Sequence, residues 1–214
     1  MIKARLISYS KSVIENEGIK DVKDLISYCA RVSNPKNQNN TKTSDKLLKY
    51  LMKHKHWSPF EMASACMEIT TTRDIARQIL RHRSFSFQEY SQRYAEVDLK
   101  NPITREARLQ DPENRQNSIE TDNIGIMETW KNKQFNVIEF TNNVYNWALR
   151  NGIAKEQARV VLPEGLTPST MLMNGTIRSW IHYIELRTHE GTQKEHREIA
   201  QECAKAIHSI FSFI

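Results

Sequence analysis

Within Arg81-His82-Arg83-Ser84-Phe85-Ser86-Phe87-Gln88-Glu89-Tyr90-Ser91-Gln92-Arg93-Tyr94, three guanidinium groups and an imidazole stand beside carboxylate, hydroxyl and amide groups. Guanidinium forks present paired, permanently charged donors that suit phosphate and carbonyl oxygens. Consecutive residues at a helix end point in different directions, so Arg81, His82 and Arg83 can touch two ligands or two parts of one. If the chain beyond them is extended, Glu89, Ser91 and Arg93 share one side. There an acceptor, a hydroxyl and a guanidinium suit the edge of a uracil ring or a phosphate. A lone basic triplet is ordinarily a solvated helix end, where cations favour the dipole. On that bland reading Phe85, Phe87 and Tyr90 are simply the core-facing positions of an amphipathic segment.

The surrounding elements must deliver this stretch. Ile2, Ala4 and Leu6 alternate as in a strand, and Val22, Leu25, Ile26 and Cys29 recur at helical spacing. Asn34 to Ser44 reads as a loop, and Leu47, Leu48, Leu51 and Met52 stripe a helix that ends before Pro59. Ala63 to Thr71 alternates as a strand with one apolar face. Thr71 with Asp74 resembles a capping box for a helix carrying Ile75, Ile79 and Leu80 inward, and Arg77, Gln78 and Arg81 on its other faces. Residues 97–125 are polar and weakly periodic, which predicts a long loop or short helical pieces. A long helix follows with Trp130, Val137, Phe140, Val144 and Trp147 as its apolar face and Gly152 as its stop, then a short helix to Pro163. Thr167 to Met173 is expected to be an edge strand. Ile177, Trp180, Ile181 and Ile184 mark the buried face of a helix that shows Arg178, His182 and Glu185 on the other. The last helix is expected to begin at Thr192 with Glu195 as its capping partner, and to bury Ile199, Cys203, Ala206, Ile207 and Ile210. Few strands loosely alternating with helices predict an α+β fold, a small central antiparallel sheet flanked by helices.

The 214 residues suit one domain spanning 1–214, with sites shared between subunits. A formal charge of +6 and a pI of ≈ 9.2 predict attraction to anions, which nucleotides, nucleic acid and phosphorylated cofactors all satisfy. Cys29, Cys66 and Cys203 are far apart without a CxxC spacing, so neither a disulfide framework nor a zinc ribbon is indicated. No apolar run approaches a membrane span. A reducing cytoplasm is the expected compartment, that of the host if the source is viral.

Arg81-His82-Arg83, seven residues and then Ser91 resembles the signature of the flavin-dependent thymidylate synthases. Ala30-Arg31-Val32-Ser33, Tyr50 to His54 with His56 to Glu61, Ala158 to Pro163 and Arg178 to Arg187 resemble further blocks of that family in the same order. Together they cover most of the chain outside roughly 97–130. The resemblance implies reductive methylation of dUMP to dTMP, with 5,10-methylenetetrahydrofolate as carbon donor and FAD reduced by NADPH as hydride carrier. It implies no protein nucleophile, which agrees with three cysteines that have no histidine near them in sequence. It places Arg187 as the catalytic cation at the uracil edge, and Gln78, Arg81, Glu89, Tyr90, Ser91, Gln92, Arg93 and Arg159 around dUMP. Around FAD it places Ser58, Arg81, His82, Arg83, Glu89, Thr176, Arg178 and His182, with Arg81 shared by both ligands and His56 near the flavin. Thr176 stands where the family commonly has Asn, and His182 replaces a second amide. The resemblance also implies a homotetramer with sites at its subunit interfaces, no resident metal, and neither a membrane nor nucleic acid as partner.

Two other readings compete. Arg73, Arg77, Arg81, Arg83 and Arg93 interleave with Phe85, Phe87, Tyr90 and Tyr94 as in single-stranded nucleic-acid platforms. That reading leaves the blocks around His56, Arg159 and Arg187 without a role. His54, His56, His82, His182, His189 and His196 would suit a metal hydrolase, but neither HExxH nor paired Cys/His spacing is present.

Overall fold

The alternating N-terminal stretch forms strand β1 (Lys3–Tyr9), and the first helical stripe forms α1 (Val22–Ala30). The computed structural model describes residues 3–14, 18–99 and 101–213, so the expected strand position Ile2 lies outside the described residues. Asp21 caps α1 by accepting from the Asp24 amide at 2.9 Å, and Ser44 donates to Asp24 Oδ1 at 2.8 Å. That second bond ties the start of α2 (Ser44–Lys53) to α1.

Strand β2 (Ser64–Thr72) runs directly into α3 (Arg73–Ile79), which is followed by β3 (Phe85–Glu89). A small hairpin, β4 (Arg108–Gln110) with β5 (Ser118–Glu120), precedes the long helix α4 (Ile124–Arg150) and the short α5 (Lys155–Ala158). Strand β6 (Pro168–Thr176) runs directly into α6 (Ile177–Arg187), and α7 (Lys194–His208) closes the fold. The main sheet is antiparallel in the order β1-β2-β6-β3, and the architecture is α+β as expected. Among the described residues no helix is long and apolar enough to cross a membrane.

The residues of β2 and β6 that face the helices, Ala65, Met67, Ile69, Met171 and Met173, are buried beneath α3, α6 and α7, whose Ile75, Ile79, Trp180, Ile181, Ile199 and Cys203 complete the core. Trp180 donates its indole N–H to the Ala65 carbonyl at 3.0 Å. Its ring meets Phe85 edge-on at 4.8 Å. Gly175 makes room for that ring, because a Cβ there would lie 2.4 Å from Phe85 Cδ1.

The pairing of β2 with β6 decides where the two helices begin. Thr72 is opposite Pro168 while Ser64 is opposite Thr176, so α3 and α6 start at opposite ends of the sheet. Eight residue steps at strand rise separate those ends by about 27 Å.

Several expectations are corrected. The segment predicted to be an edge strand is β6, an interior strand paired on both sides. Its Thr170, Asn174 and Thr176 alternate onto the less buried face, which is what gave it an edge-like sequence. Thr71 is no helix cap: its hydroxyl is buried without a hydrogen-bond partner, and Thr72 takes the cap position. Helix α7 starts at Lys194 after Gln193 rather than at Thr192, and Glu195 is drawn into other bonds. Helix α4 is turned from its predicted face. It buries Gln134, Ile138, Thr141, Tyr145 and Ala148, whereas Trp130, Val137, Phe140 and Trp147 are 46%, 46%, 72% and 56% exposed. Gly152, with φ of 76°, follows its end as expected.

Candidate active site

At the end of the sheet where α3 begins, Arg73, Arg77, Gln92, Glu156, Arg159 and Glu164 are among the residues lining a cleft of ≈ 390 Å³. Arg73 and Arg77 are one helical turn apart and therefore share a face. Arg73 pairs with Glu89 at 3.4 Å, and Ser169 donates to the same carboxylate at 2.9 Å. The exposed Arg77 pairs with Glu164 at 3.5 Å, and Arg93 with Glu156 at 3.3 Å. Gln92 is buried, and Arg159 donates from Nε to the Glu156 carbonyl at 3.3 Å. The expected common face of Glu89, Ser91 and Arg93 is not formed. The strand stops at Glu89, and the Ser91 carbonyl accepts from Tyr94 and Ala95 at 3.1 Å in a turn. Tyr90 points outward, donating to the Glu96 carbonyl at 2.6 Å.

At the opposite end, Thr176 caps α6 by accepting from the Ser179 amide at 3.2 Å. Ser179 donates from its hydroxyl to the Ser84 carbonyl at 3.2 Å, which ties α6 to the turn after Arg83. Arg178 pairs with Glu61, three residues beyond Ser58 in the turn Ser58–Glu61. His182 meets the Trp57 ring edge-on at 4.7 Å. The exposed side chains of Arg81 and Arg83 have no hydrogen-bond or ion-pair partner among the described residues. Phe85 is buried and Phe87 packs against the core, so neither is a stacking platform for a nucleic-acid base.

Between these ends, Arg187 at the end of α6 donates from Nε to His82 Nε2 at 2.9 Å. Burial and the Arg187 charge push His82 down to about 4, so the imidazole is neutral and its Nε2 lone pair is available to accept. The terminal amino groups of Arg187 have no partner among the described residues. His82 lies edge-on to Tyr183 at 4.9 Å. Behind it, the fully buried His196 bridges Gln78 Oε1 and the Tyr183 hydroxyl, each at 3.2 Å. Gln78 in turn donates to Gln193 Oε1 at 2.7 Å.

Burial and the charges of Arg187 and His82 lower His196 to about 3. Both histidines are protonated in the unfolded chain below about 6.5, yet stay neutral in the fold until about pH 4 and 3. In that window the unfolded state binds more protons, so stability is complete above 6.5 and falls as pH drops. The expected loss at pH 5 is about 2 kcal/mol for the fully buried His196 and less for His82, which solvent partly screens. Denaturant titrations at pH 7.5 and 5 check it, and His196→Gln should flatten the dependence.

Sequence reasoning did not assign Gln193, Tyr183 or His196 to the site, nor Arg73 and Arg77 to the cleft. The i, i+4 arginines were visible as a helical pair. The partners of Gln78 were not, since His196 is 118 residues away.

A family described as "Thymidylate synthase complementing protein" matches residues 12–211. A probable flavin-dependent thymidylate synthase of Paramecium bursaria Chlorella virus 1 is 52% identical over 200 residues, covering 94% of this chain and 91% of that protein. The flavin-dependent thymidylate synthase of a Synechocystis species is 47% identical over 201 residues, covering 92% of this chain and 89% of its own. The chain belongs to the flavin-dependent thymidylate synthase family. The fold agrees. A UMP/dUMP methylase, PolB from Streptomyces cacaoi, crystallised with 5-Br dUMP, superposes with a TM-score of 0.81 at 27% identity, over 98% of this chain and 91% of that one.

Within this flavin-dependent thymidylate synthase fold, the residues assigned by resemblance fall into three groups. Gln92, Arg159 and, through Glu156, Arg93 gather at one end. Ser58, Thr176, Arg178 and His182 surround the start of α6 at the other. His82, Arg187 and Gln78 lie around α7 and the ends of α3 and α6. The cleft lined by Gln92 and Arg159 contains none of the second group.

Proposed function

We propose that this chain carries out the reductive methylation of dUMP to dTMP, with 5,10-methylenetetrahydrofolate as carbon donor and FAD reduced by NADPH as hydride carrier. The observation that carries this reading is the bond from Arg187 to a neutral His82. It joins the end of α6 to the Arg-His-Arg motif and leaves a guanidinium fork free for a ligand. A fixed cation at the pyrimidine edge stabilises charge developing on the ring oxygen and nitrogen without reorganising during the reaction. Gln78, Ser91, Gln92, Arg93 and Arg159 are proposed to hold the nucleotide, with Glu89 and Tyr90 at the border of its site.

The start of α6 fits an anionic dinucleotide. Its N-terminal amides favour negative charge, Arg178 is adjacent, and Arg81 and Arg83 are exposed cations without a partner among the described residues. Ser58, Thr176 and His182 would add hydrogen bonds to FAD, which when bound supplies the hydride and relays the one-carbon unit. Replacement of Asn by Thr176 keeps an acceptor, and that oxygen already serves as the helix cap.

No protein nucleophile is proposed. Burial raises the Cys29 and Cys66 thiols, and it pushes the fully buried Cys203 far above the ordinary thiol range. Such thiols are poor sources of thiolate. Cys29→Ala, Cys66→Ala and Cys203→Ala are each expected to retain turnover within about twofold, apart from a packing cost of about 1 kcal/mol at Cys203. A well-folded but inactive single variant would overturn the nucleophile-free mechanism.

A homotetramer is proposed to complete the site. The exposed α4 stripe of Trp130, Val137, Phe140 and Trp147 is an apolar helix face that the described residues do not cover. The separation of the ligand groups at the two sheet ends also suits sites built from several subunits. Phe140→Asp is expected to shift the species seen by light scattering towards monomers and dimers.

The activity is tested by incubating purified protein with FAD, dUMP, methylenetetrahydrofolate and NADPH. Flavin absorbance on the protein and formation of dTMP are expected. A colourless protein that makes no dTMP overturns the reading.

A further inference from the structure

The hydrogen bonds behind Gln78 have a direction that one carboxylate dictates. Glu195 is buried and ion-paired with Arg108 of β4, so it only accepts. Gln193 must therefore turn its Nε2 towards Glu195 Oε2, at 2.9 Å, and its Oε1 towards Gln78. Gln78 must answer with Nε2, at 2.7 Å, which turns its Oε1 to His196 Nδ1. An amide oxygen only accepts, so Nδ1 carries the proton, and Nε2 accepts from the Tyr183 hydroxyl at 3.2 Å. Reversing either amide would set donor against donor or acceptor against acceptor.

We infer that Gln193 and His196, directed by the Arg108–Glu195 pair, hold the Gln78 amide in one of its two orientations and so position it for the pyrimidine. The inference rests on the functional reading above, which places Gln78 at dUMP. Gln78 has one N–H and one oxygen lone pair left after its two internal bonds. With the amide fixed, the donor end and the acceptor end presented to a ligand cannot exchange. Neutral His196, lowered to about 3 by burial and the Arg187 charge, supplies the one-donor, one-acceptor bridge that these bonds need. Gln193 and His196 are positioning residues, since each acts through Gln78. The β4–β5 hairpin thereby gains a role: Arg108 fastens Glu195, while Lys194 binds Glu106 at 2.6 Å and Glu120 at 2.9 Å.

Calorimetric binding of dUMP to the FAD-loaded protein tests this. His196→Leu is expected to weaken dUMP about tenfold. His196→Gln, which again offers one donor and one acceptor, is expected to recover most of that loss, and neither variant should change FAD content. In a Gln78→Ala background, His196→Leu is expected to cost less than about twofold more, because the amide through which it acts is gone. Gln193→Leu, at a half-buried position, goes through the same cycle and carries the test if His196→Leu does not fold. A tenfold loss that persists undiminished in the Gln78→Ala background overturns the inference while leaving the functional reading intact. Failure of the wild-type, FAD-loaded protein to bind dUMP overturns both.

Discussion

Arg187→Ala is expected to lower turnover by about 10³-fold while leaving the FAD content of the purified protein unchanged. The guanidinium is anchored through Nε to His82, so its terminal nitrogens are held in place before any ligand arrives. Preorganised charge of this kind acts where negative charge develops, and removing it costs rate more than ground-state binding. Arg187→Lys should recover only part of the loss. An ammonium keeps the charge, but one compact group cannot both bond His82 and present a planar fork. Single-turnover kinetics and flavin absorbance separate the two effects. If flavin retention collapsed while the residual enzyme still turned over normally, the placement of Arg187 at the pyrimidine would be wrong.

Trp180→Ala should destabilise the fold by about 4 kcal/mol, the largest stability effect expected of a single substitution here. The indole is fully buried between β2 and α6, packs against Phe85 and Tyr183, and donates to the Ala65 carbonyl. Its loss leaves a cavity and also removes a hydrogen bond to the Ala65 carbonyl, near the end of β2 where α6 begins. For a chain of this size that corresponds to a fall in Tm of about 10 °C. The damage should reach the ligand sites, because Phe85 begins the strand that follows the Arg-His-Arg motif. A change under about 1 kcal/mol in denaturant titration would contradict the packing described.

Much of this molecule is legible in its sequence. Alternation in β2 and the stripe of Ile177, Trp180, Ile181 and Ile184 in α6 report burial directly, because one face of each is apolar and the other is not. The spacing from Arg81 to Ser91 and the later blocks around Arg159 and Arg187 suffice for the family. Other parts resisted for physical reasons. Helix α4 buries a mixed stripe that includes Gln134 and Thr141 and exposes its more apolar one, so periodicity points to the wrong face. Strand β6 mixes Ser, Thr, Asn and Gly with Met, so its interior place follows only from partners about a hundred residues away. The turn after Glu89 was hidden because alternation continues through Ser91 and Arg93 although the strand does not. The bonds fixing Gln78 come from α7, and no local pattern announces a contact across 118 residues.

The interior position of β6 also governs how the chain can be made. On the ribosome, β1 and β2 can pair early, but β2 and β3 each keep an open edge until Thr176 has emerged. At ~5–20 residues per second, the interval between completing β3 and completing β6 lasts on the order of 4–20 s. Through that time Met67, Ile69 and Phe87 have no strand to cover their flanks, and unpaired edges of this kind invite pairing with other chains. The nascent protein is therefore at its most aggregation-prone late in synthesis, when only the final strand can end the exposure.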